Sequence, residues 1–525
     1  MKSRFLFVGV LLHFSVVAVL PSKVEAQSWT PAILSSAKYL PDYSYAGYYW
    51  GEKSLPDLAP TLEVTDFGAI PDDGKDDTAA IRTAIKAAQD RPGTVVLHFP
   101  TGKFIVSDVL FIERSDFVLQ GEGDGPNGTV IKIPKPLKDM HVPWSTKWLK
   151  AYYFLRGKRA RDGRLFSIFS WTGGVFWIRA PHNSVYDLDV KIVGGTQGER
   201  RIQSENTSNL HPGDVVTIQW FNHDGKHGSL LKELYGDYGL PMGKRLYSWF
   251  WNPILTQPVT VERVESEYLV IKEPLLHDLR PEWTPKLVSS HYLKHVGIEK
   301  LRIEFPQTQY AGHHLEEGFN GIYFTDVMHS WIRNVTVHNA DSAILSHQCK
   351  NITLDDITVT GRRGHYTIMA SNCYGMLATR FNLQADSVHN PSFNTKTKLS
   401  VYSGGAIGNA RLDQHRGVNH QNLFDDIEID YADNLFEHGG AAYWGPTAGR
   451  FNTFWNLRIN NAPPNGFIGQ CKDAPEARMI GITGPGAGVK FDYGPAPYIE
   501  GLNARGITIP SLYHYQLATR LNSVK

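Results

Sequence analysis

Apolar residues alternate with polar ones in a short phrase that recurs along the second half of the chain. Asn334-Val335-Thr336-Val337 is followed by Asp356-Ile357-Thr358-Val359 after 22 residues and by Arg380-Phe381-Asn382-Leu383 after a further 24. Lys300-Leu301-Arg302-Ile303, Asp426-Ile427-Glu428-Ile429 and Asn456-Leu457-Arg458-Ile459 continue the series. Period-two alternation predicts a short strand with one buried face. A repeat of about two dozen residues predicts coils that bury that face only by stacking on one another. The expected fold is all-β, a right-handed parallel β-helix.

The period is absent elsewhere. Residues 27–60 are rich in Pro, Tyr and Trp and predict an extended arm on the body. Residues 61–140 hold an N-terminal cap and the first coils, with a helix over 79–89 whose Ile81, Ile85 and Ala88 share a face and for which Asp76 or Asp77 is a suitable N-cap. Residues 141–290 interrupt the coils. Within them 212–218, 259–264 and 268–271 read as strands joined by turns, hence a small β-rich insertion. The main coils are expected over 291–465, and an irregular tail, 466–525, to cover the open end of the solenoid.

Residues 1–26 have the form of an export signal: Lys2 and Arg4, a mostly apolar stretch from Leu6 to Leu20, then Val24-Glu25-Ala26. That stretch falls short of the ~20 residues a membrane-spanning helix takes. A secreted or periplasmic protein with no membrane partner is expected. A net charge of +1 over 525 residues names no partner by bulk electrostatics and disfavours nucleic acid. The three cysteines are too few for a disulfide scaffold; Cys349 and Cys373, 24 apart, are expected to stack in adjacent coils, as thiols or as a bridge.

Candidate chemistry concentrates before the coil strands. The segment 411–425 contains Asp413, His415, Arg416 and His420; one coil earlier stands His389, two coils earlier Arg362, Arg363, His365 and Tyr366, and before them His338 and Asp341. Such a ladder along one groove supplies what β-elimination from a uronate needs: a cation on the carboxylate, a base for the C5 proton and an acid for the leaving oxygen. Arg416 is assigned the carboxylate, His415 or His365 the proton and Tyr366 the leaving oxygen, with His389 and Asp413 as further catalytic candidates. Arg362, Arg363, His338, Asp341 and His420 are expected to bind substrate, although His420 also suits a polar stack within a coil. A second candidate surface at 141–164 interleaves Lys and Arg, Arg159 among them, with Trp144 and Trp148, which suits an anionic sugar chain or a solvated basic helix face. No metal site is expected. His313-His314-Leu315-Glu316-Glu317, the densest ligand-like cluster, is read as a solvent-facing loop.

The opening phrase Val64-Thr65-Asp66-Phe67-Gly68-Ala69, with Asp72-Asp73-Gly74-Lys75-Asp76-Asp77-Thr78 after it and the strands at 94–106, resembles the pectate-lyase-like superfamily of right-handed β-helix proteins. The resemblance implies the fold over most of the mature chain and a carbohydrate substrate; it also brings calcium in as a candidate cofactor, because many lyases of that superfamily use it. Polygalacturonase-type hydrolases of the same fold use clustered aspartates, then Gly-His-Gly and Arg-Ile-Lys. Here Asn339-Ala340-Asp341-Ser342 and Gly364-His365-Tyr366 stand instead, with no Arg-Ile-Lys downstream. An inverting hydrolase needs two carboxyl groups roughly 6.5–9.5 Å apart, and Ser342 removes the obvious partner. A lyase on an acidic polysaccharide is therefore the first expectation, with a glycoside hydrolase or a non-catalytic carbohydrate-binding protein as alternatives. Oligomeric state is not encoded in these patterns.

Overall fold

The computed structural model describes residues 28–141, 159, 163–181, 185–248 and 252–523. The repeated phrases stack in parallel, Leu301 on Val335 on Ile357 and Ile303 on Val337 on Val359. They belong to a 16-stranded sheet, and a second parallel sheet of eight strands forms another side of the coil. The chain is a right-handed parallel β-helix. Each phrase turns out to be a corner followed by a strand. Its first residue, Lys300, Asn334, Asp356, Arg380, Asp426 or Asn456, has φ between 51° and 58° and bends the chain. Asn and Asp tolerate this left-handed conformation better than most residues. Lys300 and Arg380 adopt it at a steric cost that the stacking of neighbouring rungs outweighs.

Inside the coil, Leu301, Val335, Ile357, Ile427 and Leu457 are fully buried and Phe381 nearly so. The helix Thr78–Gln89 turns Ile81, Ala84, Ile85 and Ala88 onto the first coil. Asp76 Oδ1 accepts the Thr78 amide at 3.0 Å, whereas Asp77 accepts Ile70 and Ile105 amides and ties the preceding loop to a strand. Cys349 and Cys373 are buried free thiols in matching register, flanked by the pairs His347–Ser371 and Lys350–Tyr374.

Two expected boundaries move. Strand Phe176–Arg179 lies within 141–290 yet pairs with Leu110–Ile112 and Asn320–Thr325 in the eight-stranded sheet, so one coil rung sits inside the range assigned to the insertion. The insertion proper is a six-stranded sheet, antiparallel at each of its pairings, between Lys191 and Ser289, with Ile218, Trp220, Tyr235 and Trp283 in its own core. The tail is not irregular from 466: Arg478–Ile480 and Tyr498–Glu500 add two more rungs to the large sheet. Beyond them, helix Leu512–Ser523 packs on the flank of the solenoid rather than over its end. The outward residues Leu377, Val401, Leu423, Trp455 and Ile480 are apolar, and Leu512 and Tyr513 bury them together with Ile33, Tyr43 and Ala46 of the arm.

The insertion covers a third side. Lys350, Tyr374, Lys398 and His420 form a ladder of single bridges there. Each faces the insertion: Lys350 pairs with Glu273, Tyr374 accepts from Gln257 at 3.0 Å, Lys398 reaches Thr256, and His420 Nε2 meets His277 Nε2 at 2.9 Å.

Candidate functional site

Three strands of the eight-stranded sheet, Gly364–Ser371, Ser387–His389 and Asp413–His415, bring their polar residues to one place. Ring centroids lie 5.2 Å apart for His365 and His389, 4.9 Å for Tyr366 and His389, and 4.9 Å for His389 and His415. His389 pairs in register with Tyr366.

Asp413 organises this group. Its carboxylate is fully buried; Oδ2 accepts from His415 Nδ1 at 2.9 Å and Ser392 Oγ at 2.5 Å, and Oδ1 accepts the Gly439 amide at 2.6 Å. Burial alone would raise its pKa, but the His389 and His415 imidazoles and these donors hold it well below the usual carboxylate range. The hydrogen bond through Nδ1 fixes the His415 tautomer and leaves Nε2 as the nitrogen open to a substrate. The His415 side chain keeps 15% of its surface, against 3% for His389. Burial disfavours the protonated form of His389.

Two aperiodic loops complete the cluster. From residues 306–319 come His313, whose ring centroid is 4.8 Å from that of His365, and the buried Glu316, 3.1 Å from His365 Nδ1. Burial opposes ionisation of Glu316, yet His365, Ser170 and Tyr310 bring its pKa down to about 2. Residues 438–447 lie across His415 and Arg416. A Cβ on Gly439 would stand 2.1 Å from His415 Cε1 and 2.7 Å from His389 Cε1, so only glycine lets the backbone approach this closely. The HHLEE cluster is thus not a solvent-facing loop: His313 is exposed, but Glu316 closes over the His365 ring. Its dense run of ligand-type residues was the available signal, and nothing in the sequence marked Gly439 or Ser170.

Several expected site residues do other work. Arg416 is bound to its own protein: Nη1 donates to Gly445 O at 2.6 Å and to Asp473 at 3.2 Å, and Nε to Gly440 O at 3.2 Å, so it braces the covering loop instead of waiting for a carboxylate. His365 is wholly buried, and so is Tyr366, which packs in the coil core with its phenol pKa pushed far up by burial; neither can meet a polymer directly. Arg362 and Asp341 form a buried ion pair at 2.8 Å, with Asp341 also accepting the Gly318 and Phe319 amides. His338 stands on the large sheet, bonded to Thr360 at 2.9 Å, and His420 on the insertion side. Arg363 is exposed, its guanidinium 3.1 Å from Asp386 and 5.9 Å from the Tyr310 ring centre. Arg159 is exposed and donates to Gly163 O at 2.6 Å; Trp144 and Trp148 lie outside the described residues.

A cavity of about 170 Å³ beside Arg416 is lined by Lys396, Gly417 and Trp444, with Arg245 stacked 4.3 Å over the Trp444 ring. A larger one of about 440 Å³ lies between the insertion and Ser289–Lys294 and holds none of the clustered residues. Calcium does not fit the cluster: it takes roughly six to eight oxygen ligands, and the imidazole-rich group offers only Glu316 and Asp413, both bonded within the protein.

Residues 61–142 match the family described as Rhamnogalacturonase A/epimerase, pectate lyase-like, which covers the capping helix and first coils. No curated protein matches the chain. Among solved structures, the tailspike gp49 of Pseudomonas phage LKA1 aligns at 12% identity over 84% of this chain and 80% of its own, with a TM-score of 0.49. The tailspike gp61 of Pseudomonas phage phi297 gives 12%, 85%, 72% and 0.49 in the same order. The Gp54 tailspike of Acinetobacter baumannii bacteriophage AP22, solved in complex with A. baumannii capsular saccharide, gives 9% identity and a TM-score of 0.42, and 83% of this chain spans 58% of it.

Proposed function

We propose that this chain, which has the pectate-lyase-like β-helix fold, is an exported polysaccharide lyase that cleaves a uronic-acid-containing glycan by β-elimination. The observation that carries this reading is the His415–Asp413 pair, a partly exposed imidazole fixed by a buried, ionised carboxylate at 2.9 Å. His415 Nε2 takes the C5 proton of the uronate, the C4=C5 double bond forms, the bond from C4 to the glycosidic oxygen breaks, and that oxygen takes its proton from solvent water. Asp413 stabilises the imidazolium that results. Arg363 exchanges Asp386 for the substrate carboxylate, a bidentate contact suited to a guanidinium. Trp444 offers a flat apolar face to a neighbouring sugar ring. An exported location, expected from residues 1–26, suits a polymeric substrate.

The hydrolase alternative is disfavoured by the same electrostatics. A glycosidase general acid needs a carboxyl group with a raised pKa, whereas Glu316 and Asp413 are both driven down and fully buried. The test is incubation with a panel of acidic polysaccharides. Ultraviolet absorbance from an unsaturated uronate is expected for one of them and is lost in His415→Ala; new reducing ends without that chromophore would replace the lyase by the hydrolase.

A further inference from the structure

The cluster holds an unexplained cost. Nε2 of His365 and Nε2 of His389 are buried without a hydrogen-bond partner, in residues that are 0% and 2% exposed. A buried polar group left unsatisfied costs about 1–3 kcal/mol, so such atoms call for a ligand. His313 supplies a third nitrogen: one donor atom from each of His313, His365 and His389 lies within 4.8 Å of the others. We propose that these three histidines bind a divalent transition-metal ion of the zinc class.

Four features favour such an ion. Three imidazoles match the donors zinc prefers and leave a fourth position free, as in open catalytic sites. The carboxylates stand where outer partners of metal-bound histidines stand, Glu316 Oε1 3.1 Å from His365 Nδ1 and Asp413 Oδ2 3.4 Å from His389 Nδ1, which leaves Nε2 of each ring as the nitrogen available to an ion. Zn–N bonds of about 2.0–2.1 Å in a tetrahedron place ligand nitrogens roughly 3.3 Å apart. The donor atoms lie within 4.8 Å of one another, so the rings draw together when the ion binds, and His313 is the exposed member of the three. Finally, His389 also belongs to a second close group with Asp413 and His415, so the ion would sit beside the proposed base. The inference deepens the lyase reading by placing a cation next to the uronate carboxylate, but the binding claim stands on donor geometry.

The full chain, stripped with a chelator, is titrated with Zn²⁺ alone by calorimetry and with Co²⁺ alone by visible absorption. One zinc per chain is expected, and cobalt should give the d–d bands of an imidazole-bound centre. Glu316→Gln should weaken zinc binding by roughly 10–100-fold. His313→Ala, which removes an exposed ring and leaves the core intact, should weaken it at least as much, and His338→Ala not at all. Substoichiometric zinc in the stripped wild-type chain overturns the proposal, as does wild-type affinity in His313→Ala or an equal loss in His338→Ala. Stoichiometric zinc without any unsaturated product would sink the lyase reading alone, and elimination that persists in a variant unable to bind zinc would overturn the ion's part in that reaction while leaving the binding site standing.

Discussion

The Gly439 amide donates to Asp413 Oδ1 at 2.6 Å, so the loop over the cluster and the carboxylate beneath it are held as one unit. The same contact brings the Gly439 Cα against His415 with no room for a side chain. Gly439→Ala should therefore keep the fold and push His415 away from its Asp413 bond. A displacement near 1 Å lowers turnover by about 100-fold. Melting temperature and turnover measured on the same preparation check this, and wild-type turnover in Gly439→Ala would refute it.

His415→Ala should lower turnover by about 10²–10⁴-fold, the range for a lost general base. Its stability should stay close to wild type, because the ring is partly exposed and packs at the edge of the cluster. Asp413→Asn should lower turnover too, since the amide cannot stabilise the imidazolium and admits the other tautomer. Steady-state kinetics with thermal melts separate the two effects.

Arg363 and Arg416 should fail in different ways. Arg363→Ala removes an exposed cation and should raise KM with little change in kcat. Arg416→Ala removes the contacts to Gly440, Gly445 and Asp473 that hold the covering loop, and should open residues 438–447 to limited proteolysis. Equal protease resistance in Arg416→Ala and wild type would remove its bracing role.

Asp425 accepts the Ser403 and Ser511 hydroxyls and the Leu512 amide, anchoring the C-terminal helix to the large sheet. Burial raises its pKa from 3.8 to about 7 despite these bonds. With the folded value above the unfolded one, the unfolded chain loses its proton first. The group's contribution is therefore fully present below about pH 4, falls as pH rises from about 4 to about 7, and stays low above that. Asp425→Asn should flatten this decline and gain stability relative to wild type at pH above 7. Urea unfolding of both proteins at the two ends of that window checks the sign.

Ile357 is fully buried between Val335 and the next rung. Ile357→Asp places an unpaired charge in the coil core at a cost of several kcal/mol. Loss of the folded circular-dichroism spectrum is expected, and a soluble, cooperatively melting variant would contradict the stacking.

The sequence by itself determined the coil. The polar-apolar phrases from Lys300 to Ile459 fix which residues face inward, because a period of two places Leu301, Val335 and Ile357 on one side whatever surrounds them. The first-coil helix and the thiol register are local in the same sense. Even the corner at Asn334 or Asp356 is written in residues that accept a positive φ, though the alternating pattern reads there as straight strand. What the sequence could not decide is which polar residues share a space. His415, His420 and Arg362 each stand near a coil strand, but the coil has several sides, and the side determines the neighbour. His420 meets the insertion, Arg362 closes on Asp341, and His415 alone of the three meets Asp413 at a partly open surface. The loops that finish the cluster, 306–319 and 438–447, have no period, and they reach it through contacts such as Glu316 with His365 and Gly439 with Asp413. Those contacts span from 26 to 49 residues of chain, and only the folded coil brings them within a hydrogen-bond length.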